Sequence, residues 1–182
     1  MCCHISSNMT NGSKRKSIVF SAYNGETQLD EIMRLIEKDL SEPYSVFTYR
    51  YFLYNWPELC VLAHLNEKLI GAIICRQEQS DSTKGDSVSC APSTDKKSSF
   101  RGYIAMLAVE KRCRKQGIGS RLVTDAIEKM ISFQCDEIFL ETEVSNKGAI
   151  RLYENLGFVR DERLVKYYLN GGDAYRLKLW VH

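Results

Sequence analysis

Residues 103 to 119 read YIAMLAVEKRCRKQGIG and place three kinds of local structure in succession. The run from Tyr103 to Val109 is apolar throughout and predicts a buried strand. A charged turn follows it. From Ile118 onward, apolar residues recur at helical spacing as far as Ile131, which predicts an amphipathic helix. A strand, a loop and a helix therefore form the centre of the predicted fold.

The loop between that strand and that helix has the chemistry of an anion site. The first N–H groups of a helix lack intrahelical partners and the helix dipole is positive there, so this position suits a diphosphate. Gly117 and Gly119 remove Cβ atoms that would hold an anion away, and Arg114 and Lys115 add positive charge. Taken alone, the two glycines are equally typical of a tight strand-to-helix turn.

A dinucleotide site is the alternative for the same glycines. An acidic residue, Glu141, ends the next strand at about the distance that such sites require. The third glycine of the dinucleotide fingerprint falls at Leu122, however, where a large side chain prevents the close helix-to-strand packing. The sequence therefore disfavours a dinucleotide site.

Length, charge and cysteine usage limit the class of protein. A chain of 182 residues suffices for one domain with a full core, and a net charge of +2 gives no support for nucleic-acid binding. No apolar run approaches the roughly 20 residues of a membrane span, and the N-terminus shows no export signal. The seven cysteines include no C-x-x-C pair, and Cys2, Cys3 and His4 lack a fourth metal ligand at typical spacing. We expect a cytoplasmic protein without a metal.

The rest of the chain predicts one α/β domain around this centre, at 17–182. Residues 1–16 are polar and are expected to form a disordered tail, and a low-complexity insert at 77–99 is expected to be a surface loop. The predicted order is strand, two helices, two hairpin strands, central strand, helix, strand, helix and a final pair of strands. The second helix, at about 45–55, is rich in aromatics, and most of Phe47, Tyr51, Phe52 and Trp56 are expected to lie in the core.

Three segments carry a family resemblance. They are Arg114-x-x-Gly117-x-Gly119, the strand IFLETE at 138–143 and the helix AIRLYENLGF at 149–158. Together they resemble the GNAT family of acetyl-CoA-dependent N-acetyltransferases. More narrowly, DLSEPY at 39–44, YRYF at 49–52 and YYLN at 167–170 resemble the catalytic subunits of NatC-type N-terminal acetyltransferases. The resemblance implies an α/β GNAT fold, with a mixed, mostly antiparallel central sheet that is splayed between its fourth and fifth strands and flanked by about four helices.

The resemblance also implies that acetyl-CoA is the co-substrate and binds between the splayed strands. The backbone of the central strand would pair with the pantetheine arm, and the glycine loop would hold the pyrophosphate. No metal is implied, because the thioester is already activated. The residues that the resemblance assigns to acetyl-CoA are Leu107, Ala108, Val109, Arg114, Lys115, Gln116, Gly117, Ile118, Gly119, Ser120 and Asn146.

Acetyl transfer to a protein α-amine needs a base, because that amine has a pKa of about 8 and is mostly protonated at neutral pH. Glu141 ends an otherwise apolar strand, and Glu143 lies on the same side of it. Tyr153 lies two helical turns after Asn146 and projects from the same helix face. From position alone, a solvent-facing strand end explains Glu141 as well as a general base does. A core tyrosine explains Tyr153 as well as a general acid does. The resemblance makes Glu141 the general base, directly or through water, with Glu143 as second choice, and Tyr153 the general acid.

Substrates and partners follow from the resemblance as well. It implies the N-termini of nascent proteins as substrates, with Met followed by a bulky apolar residue preferred, and large and small NatC-type auxiliary subunits as partners. Acetylation of lysine side chains or small amines, and a non-catalytic acyl-CoA-binding subunit, are the alternatives. Direct contact with nucleic acid or membrane is not expected. The residues assigned to the peptide groove are Leu40, Glu42, Pro43, Tyr44, Tyr103, Tyr167 and Tyr168.

Overall fold

The computed structural model describes residues 17–38, 44–80 and 99–181. Within these ranges the elements follow the predicted order. The strands are β1 (Ile18–Ala22), β2 (Val61–Leu65), β3 (Lys68–Gln79), β4 (Phe100–Val109), β5 (Cys135–Glu143), β6 (Val159–Leu164) and β7 (Ala174–Trp180). The helices are α1 (Leu29–Glu37), α2 (Val46–Asn55), α3 (Ile118–Ser132) and α4 (Lys147–Asn155). None of the helices in these ranges is long and apolar enough to cross a membrane.

The strands form one sheet in the order β1-β2-β3-β4-β5-β7-β6. All neighbouring pairs are antiparallel except β4 and β5, which are parallel because the crossover through α3 returns the chain to the same end of the sheet. The predicted mixed, mostly antiparallel sheet with four helices is confirmed.

The parallel pair β4–β5 is joined at one end only. Its ladder runs from the pair Phe100–Cys135 to the pair Tyr103–Phe139, and beyond that pair the two strands share no register. Among the described strands, the second half of β4 therefore pairs with β3 alone. This confirms the predicted splay between the fourth and fifth strands.

A bulge in β4 lies where the two strands part. Opposite β3, the register passes from Cys75–Ile104 to Ile74–Met106, which leaves Ala105 without a partner. An extra residue bends its strand and increases its twist, so the bulge turns β4 away from β5. It also reverses the side-chain alternation, because Ile104 joins the core under α3 whereas Met106, two residues later, joins the core under α1.

Two hydrophobic cores hold the sheet from both faces. Under α3 and α4, the side chains of Leu122, Val123 and Met130 are fully buried. Under α1 and α2, Ile32 and Ile36 are fully buried as well. Each such aliphatic side chain contributes about 1.5–3 kcal/mol by leaving water. The sheet is therefore a rigid platform for the gap between β4 and β5.

The bounds of the predicted insert need a correction. Strand β3 continues to Gln79, which pairs with Phe100, so the first residues that we assigned to the insert belong to the sheet. Most of the insert, at 81–98, and the predicted tail at 1–16 lie outside the described residues.

The expectation that Phe47, Tyr51, Phe52 and Trp56 lie mostly in the core holds for only two of the four. Phe52 is buried and Trp56 packs against the core, but the exposed fractions are 75% for Phe47 and 50% for Tyr51, and the neighbouring Tyr54 is 87% exposed. The three exposed residues follow helical spacing and share the outer side of α2. Only the inner side of this helix contacts the sheet, and the apolar composition of α2 does not reveal which side that is.

Candidate active site

The loop before α3 has a backbone geometry that requires glycine at one position. Gly117 caps α3 with a φ of 79°, in the left-handed region that glycine adopts without strain, and the space where a Cβ would lie is open. Gly119 lies at a close contact between two helices, and its predicted role at an anion stays a prediction. A Cβ there would lie 3.0 Å from Cδ1 of Leu152, so this glycine lets α3 and α4 approach closely.

Arg114 connects this loop to the end of β4 through a hydrogen bond. Its Nε donates a hydrogen bond of 2.9 Å to the carbonyl oxygen of Val109. A short 3-10 turn at Lys111–Cys113 links the two residues, and the Cys113 N–H donates to the Glu110 carbonyl oxygen at 2.8 Å. The N-terminus of α3 is thereby held beside the part of β4 that has separated from β5.

A cavity of about 260 Å³ opens where β4 and β5 separate. Its walls come from β4, β5, the start of α4 and the hairpin between β6 and β7, with Tyr44 beside them. The residues singled out from the sequence that line this cavity are Tyr44, Tyr103, Leu107, Glu141, Glu143, Asn146, Tyr153, Tyr167 and Tyr168. The structure thus brings together both predicted catalytic residues and the described members of the predicted peptide groove.

Glu141 lies at the cavity with a cation beside it. Its side chain is only 5% exposed, although it lines the cavity. Arg176 lies directly opposite on β7, and its Nε donates a hydrogen bond of 2.9 Å to Oε1 of Glu141. Tyr103 lines the same cavity, and burial together with the charge of Glu141 raises the pKa of Tyr103. The Glu141 carboxylate is therefore paired with a guanidinium and lies near a phenol that stays neutral.

Tyr153 projects from α4 into the same cavity. It is 4% exposed, and its ring makes an edge contact with Phe158 at a centroid distance of 5.4 Å. Burial raises the pKa of Tyr153, so its hydroxyl stays protonated at neutral pH and is able to donate. Asn146 caps α4, because its Oδ1 accepts a hydrogen bond of 3.1 Å from the Ala149 N–H, and it also lines the cavity.

The hairpin between β6 and β7 is clamped by Asp173. Its Oδ2 accepts hydrogen bonds from Nε and Nη2 of Arg163 at 2.9 and 2.7 Å, and its Oδ1 accepts from the Lys166 N–H at 2.9 Å. The bond from the Lys166 amide and those from Arg163 hold the pKa of Asp173 below its usual value. The clamp fixes the adjoining residues Tyr167 and Tyr168, whose rings meet edge to face at 5.1 Å, at the mouth of the cavity.

Several predicted residues lie elsewhere. Ala108 is buried in the core under α1, and the side chain of Ile118 is buried in the core under α3, so these residues offer a ligand only their backbone atoms. The predicted groove residues Leu40, Glu42 and Pro43 lie outside the described residues. The residues assigned to acetyl-CoA that do not line the cavity are Ala108, Val109, Arg114, Lys115, Gln116, Gly117, Ile118, Gly119 and Ser120.

Sequence reasoning missed Arg176 and Asp173. The sequence carries a weak signal for Arg176, because cations alternate with apolar residues along the segment YRLKLW of β7. Asp173 follows Asn170-Gly171-Gly172, a pattern that is typical of a turn and that gives no sign of the hydrogen bonds made by the next carboxylate. In the described part of the chain, no three His, Cys, Asp or Glu side chains lie close enough to hold a metal ion.

Comparison with known proteins assigns this architecture to a family. A family model described as the acetyltransferase (GNAT) family matches residues 29–158. The chain belongs to the GNAT family. The matched part contains α1 to α4 and β2 to β5, and so includes both strands that part to form the cavity and the glycine loop.

Curated relatives of this GNAT chain carry a common name. The N-alpha-acetyltransferase 30 of Xenopus laevis is 50% identical over 177 residues, which are 97% of this chain and 59% of that protein. The human protein of the same name is 53% identical over 166 residues, 91% of this chain and 42% of that protein. N-alpha-acetyltransferase MAK3 of Arabidopsis thaliana is 51% identical, with 89% of this chain and 77% of that protein covered. The chain thus spans about half the length of the two animal relatives.

Solved structures include chains with the same fold. A chain of the NatC complex bound to Gag peptide and CoA is 43% identical, with a TM-score of 0.78 over 91% of this chain and 99% of that one. Naa50 of Arabidopsis thaliana, in complex with the bisubstrate analogue CoA-Ac-MVNAL, is 27% identical with a TM-score of 0.74, and 91% of this chain and 99% of that one are covered.

Proposed function

We propose that this chain transfers the acetyl group of acetyl-CoA to the N-terminal α-amine of proteins. The observation that carries the proposal is the cavity between β4 and β5, where Glu141, Tyr153 and the aromatic hairpin meet. Relatives that are about 50% identical are named N-alpha-acetyltransferases, which supports the same reaction here.

Acetyl-CoA fits the free edge of β4. Beyond Tyr103 this edge has no ladder with β5, so its N–H and C=O groups are open to the amides of an extended pantetheine arm. The diphosphate then lies at the N-terminus of α3, against loop 114–120, and Asn146 lies on the opposite wall. A related chain was solved in a NatC complex with CoA, which supports this ligand.

Removing Arg114 tests the cofactor site. Arg114→Ala is expected to weaken acetyl-CoA binding by about 1–3 kcal/mol, the range for a hydrogen bond to a charged group. Gly117→Val is expected to weaken it too, because valine is strained at a φ of 79°. Titration calorimetry measures both affinities, with Arg34→Ala on α1 as the charge-matched control. Unchanged affinity in both loop variants contradicts the assignment.

The chemistry uses the groups that the cavity brings together. A proton of the α-ammonium passes to Glu141, directly or through a water, and the neutral amine attacks the thioester carbonyl carbon. Backbone N–H groups near Leu107 are placed to stabilise the oxyanion as the C–N bond forms. The C–S bond then breaks as the Tyr153 hydroxyl gives its proton to the departing sulfur. The second proton lost by the nitrogen returns to the Tyr153 oxygen, directly or through water, and Glu141 releases the first proton to solvent, so that the amide, free CoA and both side chains in their starting states remain.

The aromatic wall of the cavity supports a preference for Met followed by a bulky apolar residue. Tyr44, Tyr103, Tyr167 and Tyr168 line the cavity that a peptide would enter to reach Glu141. Burial of a Leu or Phe side chain among such rings contributes about 1.5–3 kcal/mol relative to a small residue. Burial raises the pKa of Tyr168, so its hydroxyl remains a neutral donor beside the peptide.

A peptide panel tests both the reaction and the preference. We expect kcat/KM for Met-Leu, Met-Ile and Met-Phe starts to exceed that for Ser or Ala starts by roughly 10-fold or more, as about 1.5–3 kcal/mol implies. Tyr167→Ala is expected to raise KM for a Met-Leu peptide more than it lowers kcat, because ground-state binding is what it removes.

The same panel separates the rival activities by mass spectrometry. A Met-Leu peptide with a blocked α-amine and a free lysine is expected to stay unmodified. Faster reaction at that lysine, or equal kcat/KM for Met-Leu and Ser starts, contradicts the proposal.

Large and small auxiliary subunits and a cytoplasmic location complete the proposal. A related chain of known structure belongs to a NatC complex, which supports auxiliary subunits for this chain as well. The described cysteines, Cys60, Cys75, Cys113 and Cys135, are free and buried, which suits the reducing compartment where nascent N-termini emerge.

A further inference from the structure

Arg176 meets Glu141 behind the wall of the cavity. The two residues are register partners in the β5–β7 ladder, 35 positions apart in the chain. Arg176 Nε lies 2.9 Å from Glu141 Oε1, yet Arg176 is not among the residues that line the cavity, whereas Glu141 is. The guanidinium thus contacts the predicted base without reaching the space that the substrates would fill.

Arg176 has weaker contacts with two further residues. Its Nη1 lies 3.5 Å from Oε2 of Glu162 on β6, and its Cζ lies 6.0 Å from the centre of the Phe139 ring on β5. The Arg176 side chain is 33% exposed and that of Glu162 is 57% exposed. Glu162 therefore contacts Arg176 from the solvent side, and Glu141 contacts it from the enclosed side.

An enclosed carboxylate needs such a partner. A charge that is withdrawn from water is costly unless an opposite charge and hydrogen bonds compensate it. A guanidinium presents its N–H groups in a rigid plane, so a bond from Nε to one carboxylate oxygen also restricts how the carboxylate turns. With this partner in place, the carboxylate that lines the cavity has a defined orientation before the substrates arrive.

We propose that Arg176 is a positioning residue for acetyl transfer, which holds the Glu141 carboxylate in the orientation that receives the amine proton. This inference rests on the proposed function. Proton transfer then depends on two strands, because the base lies on β5 and the residue that orients it lies on β7. If Arg176 is lost, the carboxylate is free to rotate and is no longer aligned for proton transfer. The acetyl-CoA site on β4 and α3 stays intact.

The test compares Arg176→Gln, Arg176→Lys and the control Glu162→Gln with the wild-type full chain. Steady-state kinetics with a Met-Leu peptide and calorimetry with acetyl-CoA are the measurements. Arg176→Gln is expected to lower kcat by about 100-fold, the scale of a small misplacement at a reacting group, with acetyl-CoA affinity and peptide KM within about threefold of wild type. Arg176→Lys is expected to recover part of the loss, because lysine keeps the charge but not the planar Nε donor. Glu162→Gln is expected to retain wild-type kcat.

The outcomes separate this inference from the function on which it rests. Wild-type turnover together with unchanged kcat in Arg176→Gln overturns the positioning role and leaves the function standing. A fall in melting temperature with wild-type kcat assigns Arg176 to stability and overturns it too. Absence of wild-type turnover refutes the proposed function and this inference with it. If Arg176→Gln does not fold, the lysine variant decides, since wild-type kcat in Arg176→Lys is incompatible with a required planar donor.

Discussion

Replacement of Glu141 by glutamine is expected to lower kcat by about 10²- to 10⁴-fold, the range for loss of a general base. Glutamine keeps the shape of the side chain and one acceptor oxygen, but it does not take up the proton of the α-ammonium. Acetyl-CoA affinity is expected to survive, because the proposed cofactor contacts come from β4, the loop before α3 and Asn146. Stopped-flow or steady-state rates with a Met-Leu peptide, together with titration calorimetry, measure the two effects.

Two further carboxylates on β5 serve as comparisons. Glu137 forms ion pairs with Arg101 and Lys178 away from the cavity, so Glu137→Gln controls for the loss of one negative charge on the strand. Glu143 lines the cavity and accepts a hydrogen bond of 2.8 Å from the Ser145 hydroxyl. A kcat that collapses in Glu143→Gln and persists in Glu141→Gln would transfer the role of base to Glu143.

Tyr153→Phe is expected to lower kcat on a similar scale, about 10²- to 10⁴-fold, if proton donation to the thiolate limits the rate. The phenylalanine ring preserves the edge contact with Phe158, so the change removes only the hydroxyl. Because burial raises the pKa of Tyr153, the wild-type hydroxyl is a neutral donor throughout the neutral pH range. The folded state is expected to remain, and circular dichroism melting checks this.

The leaving group sharpens the test of Tyr153. A thioester whose thiol is more acidic than that of CoA leaves without a proton, so it is expected to lose less rate in Tyr153→Phe. Tyr175→Phe is the control, since Tyr175 lies on β7 outside the cavity lining and contacts Arg160 through its ring. An equal loss of rate for acidic and ordinary thioesters would show that Tyr153 does not protonate the departing sulfur.

Local patterns predicted the centre of the fold well. The apolar run at 103–109 forms most of β4, and the residues at helical spacing after Gly117 form α3, which ends at Ser132. Both signals depend on residues within one or two turns of each other, so they hold without knowledge of the partners. The left-handed backbone at Gly117 is also predictable from local sequence, because it is a property of one turn.

Local sequence patterns did not predict how the strands pair. Strict alternation places Ile104 and Met106 on one face of β4, whereas the bulge at Ala105 sends them to opposite cores. A bulge depends on the register between two strands, and the sequence of one strand does not contain it. The outward Phe47 and Tyr54 of α2 show the same limit, because the side of a helix that meets the sheet is chosen by packing.

The sequence by itself determined the order of elements, the glycine turn before α3 and the residue types available for acetyl transfer, because periodicity and side-chain chemistry act over short separations. The roles of Glu141 and Tyr153 stay predictions, drawn from the family resemblance and placed together by the cavity. Only the tertiary structure decided that Arg176 faces Glu141 and that Asp173 clamps the hairpin. Both contacts depend on the register of β7 with its neighbours, which is set by the packing of the whole sheet.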